Sequence, residues 1–310
     1  MTWSFSAHRR FRVCQRKWYF DEMVAAALAK KEPLRREAYL LSKLQGLESW
    51  RGSLVDAVIG DHIVRSIADH RPLSLQGALG IAKDLFDRQV AFARAHRLRE
   101  PNLKMSDHKE EFAAWHAIEY GQGVSAAELE TSWSEIQNSL ANFYQFPDLI
   151  RTLHASARLV TQRTLTFSID GVAVRATPDL IVFRRAEPPL IVDWKTYIKD
   201  SEDHHLQLAC YALALTTCTP HADFPSTLSR YRTSDIDLLE VQLITKKLRP
   251  YKLSDEDAAE VEAFIVESAM QIDLAASASV RSEIAPEKYP VAYSPMTCTY
   301  CPFLSLCWKG

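Results

Sequence analysis

Apolar residues recur every three to four positions through most of the first half of the chain, then at every second position from about residue 157. That change of period predicts a helical first half followed by a sheet. Residues 6–30 read as one helix, capped by Ser6, with Phe11, Cys14 and Trp18 on one face. A second helical stretch covers about 35–70 and includes LVDAVIGDHIVRSIA. The 75–150 segment carries two further amphipathic runs, LSLQGALGIAKDLFDRQVAFARAH and AAELETSWSEIQNSLANFYQF, joined by the polar connector LREPNLKMSDHKEEF. The β-rich runs RLVTQRTLTFSID and VAVRATPDLIVF then flank Asp170-Gly171, a hairpin signal. PLIVDW follows as an unbroken apolar strand, the pattern of burial on both faces. DHHLQLACYALALTT predicts a helix, DLLEVQLIT and KLRPYKL two later strands, and 254–275 a helix capped by Ser254. The tail, SPMTCTYCPFLSLCWKG, is irregular and rich in cysteine. The chain thus divides into an N-terminal helix (1–34), a mostly helical segment (35–156), an α/β core (157–280) and a cysteine-rich tail (281–310).

Composition changes this picture little. The 310 residues are 47% hydrophobic and 25% charged, ordinary for a globular chain with a sizeable core. A net charge of −2 gives no global basic field, so nucleic-acid contact would need locally gathered Lys and Arg. AHRRFRVCQRK gathers them, with Phe11 and Trp18 nearby; a solvated helix face explains the same charges. No run approaches a membrane span, and no signal-peptide apolar segment follows Met1, so a reducing, cytoplasmic setting is expected. There, clustered cysteines are metal ligands more often than disulfides.

The candidate chemistry begins at IVDWKTYIKD. On an extended chain Asp193 and Lys195 share a face, and Trp194 points away. Asp179, fourteen residues before Asp193, ends RATPD and starts LIVF. Two adjacent strands joined by RRAEPP would bring both aspartates to one edge of a sheet. Paired hard carboxylates suit Mg²⁺ or Mn²⁺, which activate water and stabilise a leaving oxygen at a phosphodiester. Lys195 would orient that water or offset the developing charge. Gln207 and Tyr211, four apart, fall on one face of the following helix; each also reads as an ordinary surface amide or core aromatic.

TPDLIVF, IVDWKT and HLQLACYALAL resemble the PD-(D/E)XK nucleases of the RecB type, whose signature is PD, D-x-K and Q-x-x-x-Y in that order. The resemblance implies a core with a central mixed sheet flanked by helices, and that Asp179 and Asp193 bind metal, that Lys195 is catalytic, and that Gln207 and Tyr211 contact the substrate strand or steady the site. The family also carries an upstream histidine in a G-x-x-V-H helix. Here RGSLVDAVI puts Asp56 in that position, a harder ligand than imidazole. His62, six residues on, lies ~600° round an α-helix from Asp56 and faces away from it. Asp56 is therefore expected as the third metal ligand.

Cys298, Cys301 and Cys307 leave a tetrahedral or cuboidal centre one ligand short, and Cys14, in the basic aromatic helix, is the natural fourth. Spacing alone leaves zinc and a [4Fe–4S] cluster equally open. SFSAHRRFRVCQRKWYF and the tail resemble RecB-like nucleases with an iron–sulfur cluster, among them the AddB nuclease domain and the CRISPR-associated RecB-like exonucleases. That resemblance implies the cluster, and with it a staple between the two ends of the chain. Cys210 and Cys218 read as structural thiols.

The leading expectation is a divalent-metal-dependent DNase acting on strands or ends, in repair, recombination or phage defence. The alternative is a catalytically weak nucleic-acid-binding scaffold subunit working with a helicase or a defence complex. A redox protein is disfavoured because no glycine-rich cofactor motif accompanies the cysteines. No helicase motif is present, and RNA stays open as a substrate.

Overall fold

Two buried strands, β5 (Leu180–Phe183) and β6 (Leu190–Lys195), run antiparallel at the heart of the molecule, every residue of both out of solvent. This computed structural model describes residues 2–25, 32–100, 105–197, 203–277 and 283–308. Around the central pair lie β2 (Arg158–Thr161), β7 (Asp237–Gln242) and β8 (Lys247–Tyr251), in the order β2-β5-β6-β7-β8. Only β6 and β7 pair in parallel, so the sheet is mixed. Pro250 sits on the edge strand β8, a position where proline is found in sheets. A smaller sheet holds β1 (Thr2–Trp3), β4 (Val172–Ala176) and β3 (Leu165–Ile169) in that order. The β3–β4 hairpin turns at Asp170-Gly171 as expected, both with positive φ (46° and 81°), which glycine adopts without strain.

Helices of more than eight residues are α1 (Phe5–Val13), α2 (Pro33–Leu41), α3 (Leu47–Ala57), α4 (Leu75–Ala95), α5 (Ala126–Phe143), α6 (Pro147–Ala155), α7 (Asp203–Thr217) and α8 (Asp255–Ser277). The large sheet separates two cores, because side chains alternate across it. Ile181, Phe183, Ile191 and Leu238 face a core shared with α7, the N-terminal aromatics and the tail. Leu180, Val182, Val192 and Trp194 face the other, built with α3, α4 and α5.

Several expected elements are divided differently. The helix predicted over 6–30 starts at Phe5, with Ser4 rather than Ser6 as its cap, and breaks at Cys14, whose backbone is extended (φ −164°, ψ 110°). Cys14 thereby leaves the common face assigned to it with Phe11 and Trp18. It caps a new short helix, Gln15–Trp18, through Lys17 N–H to Sγ at 3.4 Å. A π-helix, Tyr19–Val24, follows, and residues 26–30 of the prediction lie outside the described residues. The predicted 35–70 helix is interrupted between α2 and α3, and becomes π-helical over Val58–Val64. Each long β run also splits, so that β2 and β5 join the large sheet while β3 and β4 join the small one. Ahead of α1, the N-terminal stretch adds a strand, β1, that pairs with β4. Two expectations agree closely: α7 spans the predicted residues, and Ser254 caps α8 through Asp257 N–H at 3.0 Å.

Candidate active site

Register brings the two aspartates together. Leu180 faces Val192 across β5 and β6, so Asp179, one residue earlier, faces Asp193 on the side of the sheet covered by α7. The Trp194 backbone N–H donates to Asp179 Oδ2 at 3.1 Å, fixing that carboxylate against β6. Lys195 shares the face of Asp193 and pairs with it at 2.5 Å, both buried. The ammonium also donates to Gln207 Oε1 at 3.1 Å, and Gln207 Nε2 donates to the Tyr211 hydroxyl at 2.6 Å. One turn of α7 therefore sets the Gln207 amide between a cation and a phenol, which fixes its orientation.

Asp56 arrives from the opposite face. The helix α3 passes so close to the end of β6 that a Cβ on Gly52 would lie 2.9 Å from Thr196 Oγ1, and any larger residue would force Thr196 to shift. One turn on, Asp56 Oδ1 accepts from the Trp194 indole N–H at 2.7 Å. Trp194, which points away from Asp193, is thus the strut that holds Asp56. The structure adds a residue that sequence reasoning missed: Gln162 Nε2 donates to both Asp56 oxygens (3.0 and 2.9 Å) and to Asp179 Oδ1 (3.3 Å). Its backbone has φ 48°, an uncommon conformation outside glycine, which no sequence pattern announces. Asp56 is the member of the GSLVD stretch joined to Asp179, through Gln162. His62 lies in the π-helical segment, so the angular count based on an α-helix does not apply to it.

Glu240 was missed as well. It lies beside Asp193 in the parallel register of β7, fully buried, bonded to Gln242, to the Tyr251 hydroxyl at 3.0 Å and paired with His204 at 3.3 Å. A lone Glu inside an apolar strand is the signal that could have found it. Among the described residues no three His, Cys, Asp or Glu side chains form a ready-made ion cage.

Crowding shapes the electrostatics. Burial, then the charges of Asp193 and Asp56, push the Asp179 carboxyl well above its ordinary range. Burial and Asp193 raise Asp56 to about 6, against the bonds from Trp194 and Gln162. Burial alone would lower Lys195, but the neighbouring Asp193 charge outweighs it and keeps the ammonium protonated. An acid with a raised folded pKa favours the unfolded state as pH rises, because the unfolded chain ionises first. Asp56 should therefore cost the metal-free protein stability progressively from about pH 4 to pH 6. The melting temperature of Asp56→Asn, minus that of wild type, should grow over this window in chelator; a pH-independent difference would contradict the assignment.

The cysteines meet at the other end of the first core. Cys14, Cys298, Cys301 and Cys307 line one cavity together with Lys17, Phe20, Phe303 and Leu304. The space among them is about 10 Å³, close to that needed by one water molecule. Arg16 Nη1 approaches Cys307 Sγ at 3.9 Å, and its backbone N–H and Nε bond Pro290 O and Tyr289 O at 3.1 and 2.9 Å. Tyr19 stacks on Tyr289, and Phe20 on Phe303. From the helical segment, His116 Nε2 contacts Cys301 O and the Tyr120 hydroxyl donates to Pro302 O at 2.8 Å.

A family model for the PD-(D/E)XK nuclease superfamily matches residues 2–308. Among solved structures, the chain is similar to a candidate exonuclease from Eubacterium rectale, with 12% identity and a TM-score of 0.43 over 87% of this chain and 79% of that one. It is also similar to the protein SSO0001, with 14% identity and a TM-score of 0.31 over 73% of this chain and 96% of that one. No curated protein sequence matches it.

Proposed function

The chain belongs to the PD-(D/E)XK nuclease superfamily, and from that premise we propose that it hydrolyses DNA phosphodiester bonds at ends or along single strands, using Mg²⁺ or Mn²⁺. The observation that carries this reading is the facing pair Asp179 and Asp193 with Lys195 locked beside them. Asp56, Asp179 and Asp193 would hold the cation. The Asp193 charge raises the proton affinity of both Asp56 and Asp179, and such crowded carboxylates suit a hard divalent ion; Mg²⁺ needs only one or two of them because water completes its shell. When bound, the ion supplies an activated water and neutralises phosphate charge.

The chain's own groups do the rest. Lys195 stays charged in a nearly dry site, where an ammonium offsets the extra negative charge of the pentavalent phosphorus more strongly than in water. Gln207 holds that ammonium through its amide oxygen and is itself held by Tyr211, so the lysine needs no reorganisation as charge develops. Asp179 is aimed by a backbone N–H rather than by a flexible side chain.

The RecB-like subtype is part of the same proposal, with a [4Fe–4S] cluster on Cys14, Cys298, Cys301 and Cys307. Support comes from four thiols lining one cavity, with Lys17 and Arg16 present to balance thiolate charge. Four thiolates hold Zn²⁺ equally well, so zinc is the rival. The test of the function is cleavage of end-labelled single-stranded and duplex DNA with Mn²⁺, Mg²⁺ or chelator. Cleavage that needs a divalent ion and is fastest on single strands or ends is expected. No cleavage of either DNA with either ion would overturn the proposal.

A further inference from the structure

We propose that the turn entering α1, together with the outer end of β4, forms a seat for one phosphate of the nucleic-acid strand being cut. The inference rests on the nuclease reading above and names where the strand lies relative to Lys195. A cavity of about 340 Å³, within the size range of ligand sites, opens beside Gln207 and Tyr211. Its other walls are the N-terminal stretch Trp3–Ser6, Thr164 and the segment Arg175–Thr177. β1 pairs in parallel with β4, with Trp3 opposite Val174, and this pairing delivers Ser4 and Ser6 to the neighbourhood of Arg175.

The lining has the chemistry of an anion site. It contains one cation, Arg175, five hydroxyl side chains (Ser4, Ser6, Thr164, Thr177 and Tyr211) and no carboxylate. Arg175 is exposed and makes no ion pair among the described residues, so it remains available to a phosphate. Ser4 Oγ accepts from Ala7 N–H at 3.2 Å and lies 3.4 Å from Ser6 Oγ, so the two hydroxyls sit together at the mouth of α1. The remaining first-turn N–H groups of that helix add donors of the same sign. Because Gln207 lines the cavity and also receives the Lys195 ammonium, a phosphate held here is one contact removed from the catalytic lysine. The SFS stretch thus acquires a role separate from the cysteine centre.

The experiment is fluorescence anisotropy of a 5′-labelled 15-nucleotide DNA strand with the full chain in Ca²⁺, over a salt series, followed by steady-state cleavage in Mn²⁺. Arg175→Ala should weaken strand binding about tenfold and lower the salt slope by about one, the signature of one lost phosphate contact. Ser6→Glu should weaken it at least as much. That residue is exposed and lies in the first turn of α1, where a carboxylate stabilises the helix, so the loss cannot come from misfolding. In both variants the loss should fall on KM more than on kcat, while Mn²⁺ affinity by calorimetry stays at the wild-type value. Variants that bind with wild-type affinity and salt slope, or that lose kcat alone, would overturn the seat while wild-type cleavage leaves the nuclease reading standing. A wild-type protein that neither binds nor cuts any strand would remove both.

Discussion

Alanine at Asp193 or Lys195 is expected to lower divalent-dependent DNA cleavage by about a thousandfold or more. The two side chains form one unit, paired at 2.5 Å inside the protein, so each substitution also strands its partner. Removing one member of a buried ion pair costs roughly 3–5 kcal/mol, and the alanine variants should melt earlier for that reason alone. Asp193→Asn and Lys195→Met separate chemistry from folding, since they keep nearly the same volume. Lys195→Met still leaves Asp193 without its counter-charge and Gln207 Oε1 without its donor, so some loss of stability is expected with it. Both should stay folded by circular dichroism and still lose cleavage. In Asp193→Asn, calorimetric Mn²⁺ binding should weaken at least tenfold, whereas in Lys195→Met it should change little. Wild-type cleavage in either conservative variant would show that this face of the sheet is not the active site.

Protein purified without oxygen should be brown, with a broad absorbance near about 400 nm and about four irons per chain. Colourless protein with one zinc would decide for the rival centre, because d¹⁰ Zn²⁺ has no such absorbance. Cys14→Ser should bleach the protein as fully as Cys301→Ser. The Cys14 exchange is clean in one respect: the thiol also caps the Gln15–Trp18 helix, and serine is the better cap, so lost colour cannot be blamed on a lost helix. Cys210, packed in α7 away from the other four, should tolerate serine with full colour. The two ends of the chain are already joined by the Tyr19–Tyr289 stack and the Arg16 bonds to Tyr289 and Pro290. A bleached variant should therefore melt earlier while its tail stays attached, visible as delayed rather than immediate proteolysis at 283–308. Full iron content in Cys14→Ser would exclude Cys14 as the fourth ligand.

Local pattern was enough for the parts of this protein that depend on near neighbours. An unbroken apolar run identified β6 as a central strand, two residues of spacing put Asp193 and Lys195 on one face, and four put Gln207 and Tyr211 on one turn of α7. The Asp170-Gly171 hairpin followed from glycine's freedom at positive φ. These features repeat over a few residues, so the chain's own periodicity encodes them. The facing of Asp179 and Asp193 was legible too, because only a short loop joins their strands.

What the sequence could not contain were the meetings of distant segments. Gln162 reaches two carboxylates that lie 106 and 17 residues away, from a backbone conformation that no spacing predicts. Trp194 supports Asp56 because α3 comes down on the end of β6, with Gly52 closely approaching the Thr196 side chain. The break at Cys14 opposed local helix periodicity and prevailed because Arg16, Tyr19 and Phe20 bury themselves against the tail at the other end of the chain. Long β runs divided between two sheets for the same reason: side-chain alternation sets which face is apolar, while only packing against α7 and the helical half decides which sheet takes each strand.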